Sequence, residues 1–78
     1  MPEIFRINGY RFFFFSIDVS EPMHVHVEKG EKYAKFWVNP ICLAYNYKFI
    51  STELGKIMDI IEVHKVQIEE KWNEHFSI

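Results

Sequence analysis

Short apolar-rich runs, separated by breaks that contain glycine or proline, occupy the first forty positions, and this pattern is typical of strands. The runs at Glu3–Ile7 and at residues 10–17 flank Asn8-Gly9, and both of these turn residues tolerate the positive φ of a tight hairpin. Four consecutive phenylalanines at residues 12–15 put aromatic side chains on both faces of the second run. The sequence therefore predicts a first hairpin whose second strand is central in a sheet and covered on both sides.

A second pair of runs follows residues 18–22, a polar segment with a proline that we expect to be a turn or short loop. Residues 21–28 and 31–38 are both expected to be strands, because the first alternates and the second is rich in aromatic residues. We expect Lys29-Gly30 to join them as a two-residue turn, since a three-residue turn would pair Val25 with Lys35. The predicted register places Val25 opposite Ala34, Met23 opposite Phe36, His26 opposite Tyr33 and His24 opposite Lys35.

The second half of the chain changes from strand to helix periodicity. Asn39-Pro40 ends the second hairpin, because proline donates no ladder hydrogen bond. Residues 41–44 are expected to be a short edge strand and residues 45–49 the connection to a helix, with Ser51 as its N-cap and Glu53 in its first turn. Apolar and aromatic residues then recur at steps of three and four: Leu54, Ile57, Met58, Ile61, His64, Ile68, Trp72 and Phe76.

These elements predict a single α+β domain over residues 1–78. Its core would be a small antiparallel sheet of three to five strands, with a long C-terminal amphipathic helix packed on one face. Stability must come from apolar burial, because the one cysteine, Cys42, excludes an internal disulfide and is itself expected to be a buried, inert thiol. Of the 78 residues, 14 are aromatic, which is more than a small monomer easily hides. We therefore expect a homo-oligomer or a cognate small partner protein.

The charge and the ends of the chain narrow the choice of partners. A formal net charge of −2 gives no reason to expect strong nonspecific nucleic-acid binding. No apolar run reaches the ~18 residues that span a bilayer, and Met1-Pro2-Glu3 does not resemble the start of a signal peptide. We expect a cytoplasmic protein that does not associate with membranes, and a single unpaired cysteine agrees with a reducing compartment.

The densest chemistry of the chain lies in the predicted strand at residues 21–28. Alternation places His24, His26 and Glu28 on one face of this strand. Such a face would hold a metal if a further ligand converged on it from elsewhere, for example from His64, His75 or Glu31. Alternatively, two imidazoles serve as general base and general acid, as in ribonucleases that need no metal. The third interpretation is that both rings are only hydrogen-bonded or solvated polar residues.

In the acid–base interpretation, His24 and His26 are the catalytic residues and no metal or other cofactor is needed. One imidazole would take the 2′-hydroxyl proton of RNA and the other would protonate the leaving oxygen. The predicted register makes His24 the base, because Lys35 beside it disfavours its protonated form, and makes His26 the acid beside Glu28. The candidate substrate-binding residues are Arg6, Arg11, Lys35 and Tyr33.

Several of these motifs together resemble a family of small prokaryotic proteins, domain of unknown function 4160. The likeness rests on Met1-Pro2-x-Ile4-Phe5-Arg6, the phenylalanine run, Glu21-Pro22-x-His24-Val25-His26 before a Gly turn, Ala34-Lys35-Phe36-Trp37 and Glu70-Lys71-Trp72-Asn73-Glu74. It implies a component of a two-gene module of the toxin–antitoxin type, with the paired histidines as its candidate site. Two functions follow as hypotheses: an RNA-cleaving toxin, or a non-catalytic antitoxin or regulator that binds a partner protein.

Overall fold

The chain folds into an antiparallel five-stranded sheet followed by two helices. The structure is a computed structural model that describes residues 3–15 and 20–76. Neighbouring strands in the sheet are also neighbours in sequence, in the order β1-β2-β3-β4-β5. The strands are β1 (Glu3–Ile7), β2 (Tyr10–Phe13), β3 (His24–Lys29), β4 (Lys32–Val38) and β5 (Ile41–Tyr47), and the helices are α1 (Ser51–Val63) and α2 (Lys65–Phe76). The predicted α+β class is confirmed. No helix among the described residues is long and apolar enough to cross a membrane.

The first hairpin forms at the predicted turn. Asn8 and Gly9 have φ values of 54° and 83°, and Ile7 pairs with Tyr10 across them. β2 is shorter than expected, because it ends at Phe13 and not at residue 17. Positions 16–19, which include the end of the strand predicted at residues 10–17 and the start of the loop predicted at residues 18–22, lie outside the described residues.

The second hairpin forms with a register that differs from the prediction by two residues. Lys29 pairs with Lys32, so the turn is Gly30-Glu31 and not Lys29-Gly30. Gly30 has a φ of 60°, which suits the first central position of a two-residue type II′ turn. The observed pairs are Val25 with Phe36, Val27 with Ala34, His26 with Lys35 and His24 with Trp37, and Met23 precedes the strand. Both registers match apolar with apolar residues because a shift of two keeps every side chain on its face.

The predicted short edge strand at residues 41–44 is a full strand in the structure. β5 runs from Ile41 to Tyr47 and pairs with β4 from end to end, except that the register shifts at Ala44, opposite Lys35 and Phe36. Most of its side chains are exposed, including that of Cys42, which is therefore not the buried thiol that the sequence suggested. An edge strand that is exposed on both faces has no alternating pattern, so its length could not be predicted from periodicity.

The C-terminal helical region is divided at His64. The ring of His64 donates from Nδ1 to the carbonyl oxygen of Ile60 at 2.9 Å, and the same carbonyl accepts the backbone N–H of His64. Side-chain hydrogen bonds of this kind bend helices, and His64 has a non-helical φ of −106°. The N-cap is Ile50 and not Ser51, and Glu53 accepts the Ile50 N–H at 3.3 Å.

The helices bury one face of the sheet. Four of the eight predicted stripe residues are not fully buried: Leu54, His64 and Phe76 are half-buried, and Met58 is 37 % exposed and lies outside the core. Ile60, which the predicted stripe did not include, is buried in the core. The core joins residues from four strands, the segment after β2, the β5–α1 connection and both helices: Ile4, Tyr10, Phe12, Phe14, Val25, Val27, Ala34, Phe36, Val38, Phe49, Ile57, Ile60, Ile61, Ile68 and Trp72.

Candidate functional site

His24 and His26 lie on the face of β3 opposite Val25 and Val27, as strand alternation predicts. Their rings meet edge to face with 5.0 Å between the centroids. The valines fill the core beneath the helices, so the histidines belong to the other face of the sheet. The strand thus brings the two candidate catalytic residues together, but their surroundings decide what they can do.

His24 is completely buried. Its Nδ1 donates a hydrogen bond to the carbonyl oxygen of Pro22 at 2.8 Å, and its Nε2 lies 3.8 Å from Oε1 of Glu21. Trp37 from β4 and Trp72 from α2 contact the ring at centroid distances of 5.6 and 5.5 Å. The imidazole is therefore held in one orientation by the preceding loop and by two indole rings.

His26 is 4 % exposed and lies within a second group of aromatic rings. Its Nδ1 shares a hydrogen bond of 2.6 Å with the hydroxyl group of Tyr33. Phe13 and Tyr33 stack on the ring at 5.4 and 5.9 Å, and Phe15 meets it at 4.4 Å. We call these six rings, with their shared contacts, the histidine–aromatic cluster: His24, His26, Phe13, Phe15, Tyr33 and Trp37.

The three cations predicted to hold phosphate are all bound to carboxylates. Arg6 donates to Glu3 at 3.0 Å, and Arg11 donates to Glu3 at 3.0 Å and to Glu28 at 2.5 Å. Lys35 donates to Glu21 at 2.7 Å. These contacts offset the positive charge that a phosphate group would need.

The hydrogen bonds among Glu3, Arg6, Arg11 and Glu28 shift the pKa values of Glu3 and Arg11. The hydrogen bond from Arg6 lowers the pKa of the Glu3 carboxyl below its ordinary value, against an opposing effect of burial, and Arg11 lowers it further. Burial alone would lower the pKa of Arg11, but hydrogen bonds to Glu28 and Glu3 raise it above the ordinary value. Each charged form therefore stabilises its partner, and both groups stay ionised at neutral pH.

The observed register removes the basis for the predicted base and acid roles. Lys35 lies opposite His26 and not opposite His24, and its ammonium group binds Glu21. Tyr33 does contact His26, although its partner in the ladder is Glu28. Sequence reasoning missed Glu21 as a neighbour of His24; its position three residues before His24 was the available signal.

The structure gives no converging set of metal ligands within the described residues. Glu28 is engaged by Arg11, His64 is bonded to its own helix, and His75 lies against Phe14. Neither His24 nor His26 lines any of three surface clefts between 290 and 410 Å³ in the described part of the chain. The histidine–aromatic cluster is thus a closed element of the fold in this conformation.

These features define a small α+β domain with a meander sheet, helices on one face and a closed histidine–aromatic cluster on the other. Residues 9–73 match the model of the family described as Domain of unknown function (DUF4160), and the chain belongs to this family. No curated protein and no solved structure gives a significant match to the chain.

Proposed function

We propose that the protein is a non-catalytic interaction module that binds another protein chain through its edge strand β5. The resemblance to its family suggests the setting, a two-protein module of the toxin–antitoxin type in which this chain is the antitoxin or regulator. The observation that carries the proposal is a seven-residue edge strand with no charged residue, no proline and a largely exposed surface.

Exposed apolar edge strands are rare in proteins that function alone, because they invite pairing with other chains. Leu43, Tyr45 and Tyr47 are 38 %, 52 % and 47 % exposed on β5. The opposite edge, β1, carries Glu3 and Arg6 and an irregular register between Glu3 and Phe5, both of which discourage strand addition. The two edges differ in the way expected if β5 alone is a docking edge.

The state of the histidines supports the same function. A general acid or base must come within hydrogen-bond reach of its substrate, and in this structure aromatic rings and the Pro22 carbonyl surround the two imidazoles. The cluster instead fixes β3 against its neighbouring strands. This role stabilises the sheet that presents β5, and it needs no substrate and no metal.

Hydrogen exchange on the purified chain, with and without the protein encoded next to it, tests the proposal. Backbone amides of β5 that do not bond to β4 should exchange quickly in the dilute chain and become protected in the complex. Tyr45→Lys should abolish that protection, because it adds a charge to the docking edge. Val63→Lys, at a site 77 % exposed on α1, is the matched control and should leave it unchanged.

The proposal is overturned if β5 amides exchange equally fast with the neighbouring protein present and at high concentrations of the chain itself. It is also overturned if complex formation protects β5 but tolerates Tyr45→Lys as well as Val63→Lys.

RNA cleavage is the second candidate function, and the contact of the two imidazole rings at 5.0 Å favours it. Cleavage requires the cluster to open, so that one ring accepts a proton while the other donates one. Expression of the chain alone should then stop growth, and His24→Ala with His26→Ala should restore it in a protein whose folding is verified by circular dichroism. Under the interaction function, expression of the chain alone causes no histidine-dependent arrest.

A further inference from the structure

We propose that the chain that pairs with β5 is a second copy of this protein, and that Tyr47 of each copy fills a cleft beside Cys42 of the other. This inference rests on the proposed function of β5 as a docking edge and names the occupant of that edge. The two strands would run antiparallel about a twofold axis.

An apolar cleft at the start of β5 provides the receiving surface. It has a volume of about 290 Å³ and is lined by Pro22, Met23, Trp37, Asn39, Pro40 and Cys42. Because Cys42 belongs to the edge strand itself, a chain added to β5 passes directly beside the opening. A flat aromatic side chain from that added strand fits such a site better than a charged one.

The position of Tyr47 on β5 matches this cleft. Cys42 pairs with Trp37 and Tyr47 pairs with Tyr33, and Trp37 and Tyr33 share a face of β4 because four residues separate them. Cys42 and Tyr47 therefore share a face of β5, although five residues separate them. An odd separation normally puts two side chains on opposite faces of a strand, but the extra residue of β5 at the register shift between Lys35 and Phe36 returns them to the same face.

An antiparallel copy brings these two positions together twice. A register with Cys42 opposite Tyr47 also sets Leu43 opposite Asn46, and both of these residues pair with the helix-covered face of β4. In this register each side chain lies opposite a side chain on the same face of the extended sheet. The contact between Cys42 and Tyr47 forms twice, once on each side of the twofold axis. The chain supplies both the cleft and the aromatic group that enters it.

Charge also favours a second copy. Residues 41–47 carry no ionisable acid or base apart from the phenol and thiol groups, so two copies bring no like charges together along the strand. Lys48 follows the strand, but its ammonium group is bound to Glu31 of the same chain at 3.0 Å. An uncharged edge has no electrostatic pattern that would select a different partner.

Sedimentation of the purified full chain over a range of concentrations tests this inference. A dimer is expected at micromolar concentration, and Tyr47→Ala should raise its dissociation constant at least ~10-fold, whereas Tyr47→Phe should keep it close to that of the native chain. Val63→Ala is the surface control and should have no effect. Thermal unfolding of each variant establishes that the fold is retained.

Alkylation of Cys42 by iodoacetamide gives a second, local readout. The rate should fall as concentration rises and the cleft is covered, and in Tyr47→Ala it should stay constant. A dimer whose stability and Cys42 reactivity are insensitive to Tyr47→Ala would overturn the inference.

The docking function of β5 and the identity of its occupant as a second copy can be refuted independently. If the chain is monomeric at every concentration but the neighbouring protein protects β5 from exchange, the second copy is wrong and the docking function stands. If neither condition protects β5, both proposals are wrong.

Discussion

Replacing Ile61 by alanine tests which face of α1 is buried. Ile61 is completely buried among core residues of the sheet and of both helices. Met58 lies one turn earlier, and the helical pattern of the sequence assigned it to the same face, but it is 37 % exposed. Substitutions of Ile61 and of Met58 therefore distinguish the buried face observed in the structure from the face predicted from the sequence.

The expected cost of Ile61→Ala is roughly 2–5 kcal/mol, because it combines lost burial with a cavity that the neighbours only partly fill. A domain of this length has a free energy of unfolding of about 4–12 kcal/mol, from 0.05–0.15 kcal/mol per residue. The substitution thus removes a large share of the stability. Met58 is 37 % exposed and is not part of the core cluster, so Met58→Ala should change stability by less than ~0.5 kcal/mol.

Circular dichroism during heating measures the difference. Each kcal/mol corresponds to roughly 4–8 °C in the thermal midpoint of a domain of this size, so Ile61→Ala should lower the midpoint by at least ~8 °C or leave the chain unfolded. Met58→Ala should stay within a few degrees of the native chain. Equal shifts in the two variants, or an unchanged midpoint for Ile61→Ala, would show that the buried face of α1 is misassigned.

Two further substitutions test the polar contacts. Tyr33→Phe removes the hydroxyl group that bonds Nδ1 of buried His26, and it should lower the free energy of unfolding in urea by about 1–3 kcal/mol, whereas Tyr45→Phe on the exposed edge should not. Glu53→Gln tests pH dependence: the hydrogen bond from Lys32 lowers the pKa of Glu53, against a smaller effect of burial. Because the folded pKa is lowered, this stabilisation is present above the ordinary glutamate pKa of ~4.3 and is lost as pH falls through the folded value. The variant should therefore be less stable than the native chain at pH 7, and the difference should shrink below about pH 4; a deficit that stays constant down to pH 2 would contradict this.

Periodicity in the sequence determined the elements and their faces. Alternation places His24 and His26 on one face and Val25 and Val27 on the other, whatever the register, because the side chains of a strand repeat every two residues. Asn8-Gly9 specified the first turn, since few other residues tolerate positive φ at both positions. The steps of three and four from Leu54 to Phe76 likewise predicted the helical region.

Register and element length were decided by the folded structure. A shift of two residues in the second hairpin preserves every apolar match, so only the turn at Gly30 and packing around Phe36 select the observed pairs. β5 exposes both faces, and its extent depends on the ladder with β4 rather than on any pattern of its own. The helix break at His64 coincides with a hydrogen bond between its side chain and the Ile60 carbonyl, which the helical pattern of the sequence does not reveal.

The histidine pair shows the same division between sequence and tertiary structure. Its residue types and spacing predict shared chemistry on one face, and this much is local. Its burial depends on Trp72, Tyr33 and Phe15, which reach the rings from helix α2, the neighbouring strand β4 and the segment after β2. A local pattern fixes where a side chain points, but only the distant segments that pack around it determine whether water or substrate can reach it.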